Sequence, residues 1–208
     1  NYRCSIDMFI TYGASRACKI GGMTGDRDVV LLGNSHAQMY TPIVNDILLK
    51  AKKNGYLIPL NGCLPTTSVN ISKDCINSAK INLDTIISDA SIKTVLIAST
   101  WYLETYLDAD GNIIKQADIG YYFLQLINEL EESGKSVALF SPIKIPDSNL
   151  ASTLPRLLKF DHIDEMELKD SLRSPRSDYD GKFLNINHLF KEHLSYYIEV
   201  YLDLCDNE

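Results

Sequence analysis

A chain of 208 residues that is 45% hydrophobic carries enough apolar material for one globular domain with a proper core. Its formal net charge of −7, with no run of Lys or Arg, argues against electrostatic binding to nucleic acid or anionic lipid. No apolar stretch is long enough to span a membrane, and nothing at the start reads as a signal peptide. A first residue Asn1 in place of methionine suggests a piece of a longer polypeptide, and any membrane or targeting segment is expected in the remainder.

Residues 1–27 read as an irregular lead-in to a single domain covering 1–208, with glycines at 13, 21, 22 and 25. Val29 to Leu32 is a short apolar run typical of a strand covered on both faces. From Ala37 to Asn54 the period changes to helical, with Met39, Ile43, Ile47 and Val44, Leu48 repeating at that spacing. Lys50, Lys52 and Lys53 complement the helix dipole, Gly55 is a stop, and Pro42 is tolerable near the start. Tyr56 to Leu60 is a second strand, placed near an edge or an end by Pro59, and 61–65 form a loop. A short helix follows over Asn82 to Ala90, with Asn82 as its cap. Thr94 to Ser99 is a third strand. Ala117 to Ser133 is a helix with Phe123, Leu126, Ile127 and Leu130 inward, and Val137 to Phe140 is a fourth strand. Residues 144–182 read as short helices and loops, and Leu189 to Leu204 as a final helix.

This alternation requires crossovers, so the expected fold is α/β, a mainly parallel central sheet with helices on both faces. Such sheets hold their sites at the carboxyl ends of the strands. The loops after Leu32, Leu60 and Ser99 therefore matter, together with the approach to the last helix around 185–188.

Five cysteines lie at 4, 18, 63, 75 and 205, none in a CxxC pair. The spacing fits two local disulfides, Cys4–Cys18 and Cys63–Cys75, against the alternative of buried thiols. Each would close a loop of about a dozen residues, worth roughly 3 kcal/mol in the chain-entropy account, and would favour an oxidising compartment.

Ser35 stands where the first strand meets its helix. As an N-cap it needs no other role. As a nucleophile it would present its own N–H and the helix N-terminus to an oxyanion. His188, in Phe183-Leu184-Asn185-Ile186-Asn187-His188-Leu189, supplies a base late in the chain, and Ser first with His last is a workable order. His162, between Asp161 and Asp164, reads as part of a solvated acidic face and not as a metal ligand, so no metal is expected.

"GNSHAQMY" resembles block I of the SGNH hydrolase superfamily, in the GDSH form found in extracytoplasmic domains of acyltransferase-3 proteins. "NGCLP", "LIASTW" and "YDGKFLNINHL" resemble the same subfamily, in the expected order over most of the chain. The resemblance implies a flavodoxin-like three-layer sandwich. It implies Ser35 as nucleophile, His188 as general base, and the backbone N–H groups of Ser35 and Gly62 as oxyanion donors. The cysteines beside Gly62 look like a disulfide of that subfamily.

The implied activity is O-acetyl transfer through a serine acyl-enzyme onto a hydroxyl of a surface polysaccharide such as lipopolysaccharide O-antigen. The acetyl group would come from acetyl-CoA through an N-terminal acyltransferase-3 membrane domain of the same chain. No bound cofactor is expected. The location would be periplasmic, or the extracytoplasmic face of a bacterial inner membrane. A carbohydrate acetylesterase would use the same residues, and a non-catalytic glycan-binding module is the third reading. Asn34, His36, Asn61, Trp101 and Tyr102 are candidates for contact with substrate. For Trp101 a core aromatic is an equal alternative, and His36 is expected to buttress the turn by hydrogen bonding.

Two residues depart from the pattern. Asn34 stands where the family more often has Asp. Asn185 stands where the acid belongs, and the amide favours the wrong imidazole tautomer. Three accounts remain open: a dyad oriented by Asn185 or a backbone carbonyl, an acid supplied by Asp178 or Asp180, or a different register. In the last, His193-Leu194-Ser195 matches the family's tail and Phe190 takes the acid's position.

Overall fold

The computed structural model describes residues 8–22, 24–101, 103–143 and 176–201. The elements in order are β1 Phe9–Tyr12, β2 Ser15–Gly21, β3 Val29–Gly33, α1 Ser35–Lys50, β4 Asn54–Pro59, β5 Val69–Asn70, α2 Lys73–Ser88 and β6 Thr94–Ala98. They continue with β7 Thr105–Asp108, β8 Ile113–Lys115, α3 Ile119–Glu132, β9 Ser136–Phe140, α4 Arg176–His193 and β10 Tyr197–Ile198.

Seven strands form the main sheet in the order β1-β2-β4-β3-β6-β9-β10. The run β4-β3-β6-β9-β10 is parallel throughout. This is the doubly wound order, in which the connections leave β3 in opposite directions and open a crevice between β3 and β6. A small antiparallel sheet, β5-β7-β8, stands apart. The α/β fold with a mainly parallel central sheet is as expected.

The face carrying Val30, Leu32, Ile58, Val95, Ile97 and Leu139 packs on α2, α3 and α4 through Leu83, Phe123, Leu126, Phe183 and Phe190. The face carrying Val29, Leu31, Leu57 and Ala98 packs on α1 through Ala37, Val44 and Leu48. The alternation in β3 thus feeds two cores, which is why its sequence is apolar without a break.

Several expectations need correction. The lead-in is not irregular: β1 and β2 form a hairpin that adds two antiparallel strands beside β4. Asn82 is not a cap but lies inside α2, fully buried. Its Oδ1 accepts from the N–H of Ala14 at 2.7 Å, and its Nδ2 donates to Ser15 Oγ at 2.8 Å. Ser15 Oγ in turn donates to the carbonyl of Pro59 at 2.9 Å. A buried amide therefore ties the hairpin down. Ser72 caps α2 by accepting from Cys75 N–H, so that helix starts nine residues earlier than its apolar face suggests.

In α1 the apolar residues form two ridges. The sheet takes Ala37, Val44 and Leu48, while Met39, Ile43 and Ile47 stay more than half exposed. The expected final helix over 189–204 is also corrected. α4 runs to His193 and the chain then enters β10, which pairs with β9 as Tyr197↔Leu139 and Ile198↔Phe140.

Cys63–Cys75 is a disulfide, with Cα atoms 5.5 Å apart. Cys18 is disulfide-bonded as well, while Cys4, its expected partner, lies outside the described residues. Residues 144–175, including His162, are outside them too.

Replacing Asn82 by Leu removes the acceptor of the Ala14 N–H and leaves the buried Ser15 hydroxyl without its donor. The expected loss is about 2 kcal/mol, read as a thermal midpoint lowered by about 4–8 °C. Asp84→Ala, an exposed change on the same helix, stays within about 0.5 kcal/mol.

Candidate active site

The crevice is built from the residues that follow β3, β4, β6 and β9. β3 ends in Gly33, paired on one side with Pro59 and on the other with Ala98. Its φ is +152°, and a Cβ there would lie 1.9 Å from the carbonyl oxygen of Ala98. Only glycine allows β3 and β6 to approach this closely at the crevice.

Asn34 follows as the N-cap of α1, with its side chain accepting from His36 N–H at 3.1 Å. The same side chain donates through Nδ2 to the carbonyl of Thr100 at 2.7 Å. Asn34 is 4% exposed. The cap role open to Ser35 is thus filled by its neighbour. Ser35 is the first residue of α1 and its side chain is exposed, at the dipole's positive end. Asn34 is buried with both ends of its amide occupied, which removes it as a substrate contact.

The loop after β4 lies alongside. Leu60 N–H donates to Gly33 O at 2.7 Å, and Cys63 N–H donates to Leu60 O at 2.9 Å. Residues 60–63 therefore make a tight turn with Gly62 third, at φ +78°. That value suits glycine, although a Cβ would meet nothing within 4 Å, so conformation and not space requires it. Asn61 is exposed, and its Oδ1 accepts from Gln38 Nε2 of α1 at 2.9 Å. The disulfide pins the turn to α2.

Asn70, fully buried, holds the rest of the loop. Its Oδ1 accepts from Leu64 N–H at 2.9 Å, and its Nδ2 donates to Leu64 O at 2.8 Å. Nothing in the sequence marks Asn70 out from a surface loop asparagine.

Of the two readings open for Trp101 the structure takes the core one, and His36 departs from its expected role. Trp101 is 1% exposed and packs against Phe123, Phe183 and Phe190, with ring centroids 4.7, 6.1 and 6.3 Å away. It is a core aromatic and cannot stack on a sugar; Tyr102 lies outside the described residues. His36 is buried, and its Nδ1 has no hydrogen-bond partner. It fills space behind the turn and does not buttress it through that atom. Desolvation lowers its pKa, so the ring is neutral at pH 7.

α4 supplies the histidines. Its inner face, Tyr179, Phe183, Ile186, Asn187 and Phe190, is buried. Tyr179 OH donates to Pro142 O, just past β9, at 3.0 Å. Asn187 Nδ2 donates to Tyr179 OH at 3.0 Å, and Tyr197 OH donates to Asn187 Oδ1 at 2.5 Å. These bonds fix one face of α4 to the carboxyl end of β9.

Asn185 and His188 sit one turn apart on the opposite, exposed face. They lie inside this helix, not in a loop entering the last one, and no hydrogen bond joins them. His193, the last residue of α4, has Nδ1 2.9 Å from the carbonyl of Leu189. A carbonyl only accepts, so a neutral ring carries its proton on Nδ1 and leaves Nε2 as the acceptor. Phe190, in the acid's position for that register, is fully buried. Asp180 pairs with Arg176 at 3.5 Å.

Comparison with known proteins agrees with this architecture. A family model described as "SGNH domain (fused to AT3 domains)" matches residues 3–208. The periplasmic domain of a lipopolysaccharide acetyltransferase from Salmonella ser. Paratyphi A has a similar fold. Its TM-score is 0.60 at 16% identity, over 88% of this chain and 70% of that one. No curated protein matches the sequence significantly.

The burial of His36 has a pH consequence. Its folded pKa lies below the unfolded value, so the unfolded chain takes up the proton first as pH falls below about 6.5. Its contribution to stability is full above that pH and is lost on acidification. The thermal midpoint of the wild type should therefore drop more between about pH 7.5 and about pH 5 than that of His36→Gln. Equal drops would show that His36 is not buried neutral.

Proposed function

The chain belongs to the family of SGNH domains fused to AT3 domains, and on that premise we propose that it is the acyl-transferring domain of a serine-dependent O-acetyltransferase. The observation that carries this reading is the exposed Ser35 at the first position of α1, with capping assigned to Asn34.

A neutral histidine accepts the Ser35 hydroxyl proton while Oγ attacks the acetyl carbonyl carbon of the donor. The carbonyl π pair moves onto oxygen, and that oxyanion meets the N–H groups of Ser35 and Gly62. Donors of this kind are worth about 10²–10³ in rate each. As the oxyanion collapses, the bond to the donor breaks and the imidazolium returns its proton to the leaving group. A sugar hydroxyl then attacks the acetyl-serine, the same histidine takes the hydroxyl's proton, and Ser35 Oγ leaves and regains a proton.

The sequence register assigns the base to His188 with Asn185. A specific observation favours His193 instead. Its Nδ1 faces the Leu189 carbonyl, which selects the Nε2-accepting tautomer without a carboxylate. The acetyl group is delivered by the AT3 domain, ultimately from acetyl-CoA. The acceptor is a hydroxyl of a surface glycan, lipopolysaccharide O-antigen in the favoured case, and the reaction is extracytoplasmic. The Cys63–Cys75 disulfide supports an oxidising compartment. An acetylesterase differs only in that water takes the place of the sugar.

The test is intact-mass measurement of the domain after exposure to an activated acetyl ester. One acetyl group is expected on the wild type and none on Ser35→Ala. His193→Ala should lower acylation by about 10²–10⁴, with His188→Ala within a few-fold of wild type. The reverse pattern returns the base to His188. An unmodified wild type removes Ser35 as nucleophile in the isolated domain. Glycan in the reaction distinguishes transfer from hydrolysis by whether the acetyl group appears on sugar or as acetate.

A further inference from the structure

The outer face of α1 is apolar and uncovered. Met39, Ile43, Ile47 and Leu49 are each more than half exposed. Among the described residues α2, α3 and α4 show one exposed large hydrophobic each, Ile81, Tyr121 and Leu184. Single exposed hydrophobics are ordinary, but a contiguous row marks a surface that something covers.

Met39, Ile43 and Ile47 follow one another in steps of four, and one step before Met39 stands Ser35. The exposed serine and the three hydrophobics therefore form one slanting ridge, with the serine at its head. A ridge of this spacing seats in the groove of a second helix. Beside it Asp46 and Lys50, paired at 2.7 Å, make a charged border, so the face has the apolar centre and polar rim of a protein interface. Lys53, at the far end, is paired with Asp28. With these lysines paired and a net charge of −7, the face offers anionic lipid little attraction.

We propose that this ridge is where the AT3 domain of the same polypeptide docks, through an apolar helical face, and that docking brings the acetyl donor to Ser35. The proposal rests on the reading that the AT3 domain supplies the acetyl group to this serine. Three observations select this occupant. The family carries both domains in one polypeptide, so this partner is present at high effective concentration. The ridge starts at the proposed acetyl acceptor, so whatever covers Met39 stands one helical turn from Ser35. The first strands also lie on this side: Cys18 and Ile20 of β2 share a core with α1, and Gly21 N–H donates to Asn45 Oδ1 at 2.8 Å. A domain joined ahead of β1, as the sequence resemblance implies, enters at the sheet edge next to α1.

The experiment uses the full polypeptide, AT3 domain included, in its own membranes. The photoreactive residue p-benzoylphenylalanine replaces Ile43 or, as a control, the exposed Ile113 of β8. After irradiation and digestion, mass spectrometry should find residue 43 joined to an AT3 peptide of the same chain, at a yield about tenfold above that from position 113. The second readout is acetyl on Ser35. Ile43→Lys combined with Ile47→Lys should lower Ser35 acetylation about tenfold or more in the full polypeptide supplied with acetyl-CoA. The domain alone with the same two changes should react with an activated acetyl ester within about twofold of wild type, its thermal midpoint shifted by no more than about 3 °C. A link from residue 43 to a second copy, to lipid or to no AT3 peptide overturns the proposal, as do equal yields at 43 and 113. Undiminished acetylation in the double variant overturns it too. An equal loss in both acetylation assays places the effect on the serine or the fold and also overturns it. In each of these cases a wild type acetylated by the ester leaves the nucleophile reading standing. A wild type that takes no acetyl group in either assay overturns that reading and this proposal with it.

Discussion

The close approach of β3 to β6 at Gly33 is the constraint on which the site depends. The carbonyl of Ala98 occupies the space that any side chain at 33 would need. Because the strands meet there, Asn34 reaches Thr100 with a side chain of ordinary length. Because Asn34 is bound on both sides, Ser35 is left outward at the helix N-terminus. A bulkier residue at 33 would part the strands at the point where the fold opens its crevice.

Around that contact the protein uses buried amides as fasteners. Asn34 joins α1 to the end of β6, Asn70 closes the loop after β4, and Asn82 ties the β1–β2 hairpin to α2. An amide suits each place because it donates and accepts at once without the desolvation cost of a charge. The disulfide adds a covalent link between the turn at Gly62 and α2. If Ser35 and Gly62 are the oxyanion donors proposed above, the turn that carries Gly62 is held in place before any substrate arrives, the condition under which such donors are most effective.

The histidines on α4 show how one helix can offer different chemistry on different sides. Its inner face is committed to Trp101 and the aromatic core, and a hydrogen-bonded line through Tyr179, Asn187 and Tyr197 anchors it. His188 and Asn185 lie on the outer face, and His193 at the end is oriented by a main-chain carbonyl. A carbonyl selects the tautomer as a carboxylate does, but it carries no full charge to stabilise the imidazolium. Such a site would run with less electrostatic help than a full triad.

Local pattern determined a good deal of this. The apolar run of β3, the helical periods of α1 and α3, and the glycine-bearing turns after β3 and β4 were legible because period and turn chemistry act within a few residues. The Cys63–Cys75 pair was legible from its spacing and company. Tertiary structure alone decided the rest. Which of two apolar ridges on α1 meets the sheet depends on the small Ala37 fitting against Gly33, which no periodicity encodes. The lead-in became strands because β4 offered an edge and Asn82 a fastener, both distant in sequence. Trp101 became core once α4 closed over it. The division of labour between Asn34 and Ser35 was set by a carbonyl 66 residues further along the chain. A sequence shows which groups are able to bond; the fold decides which of them meet.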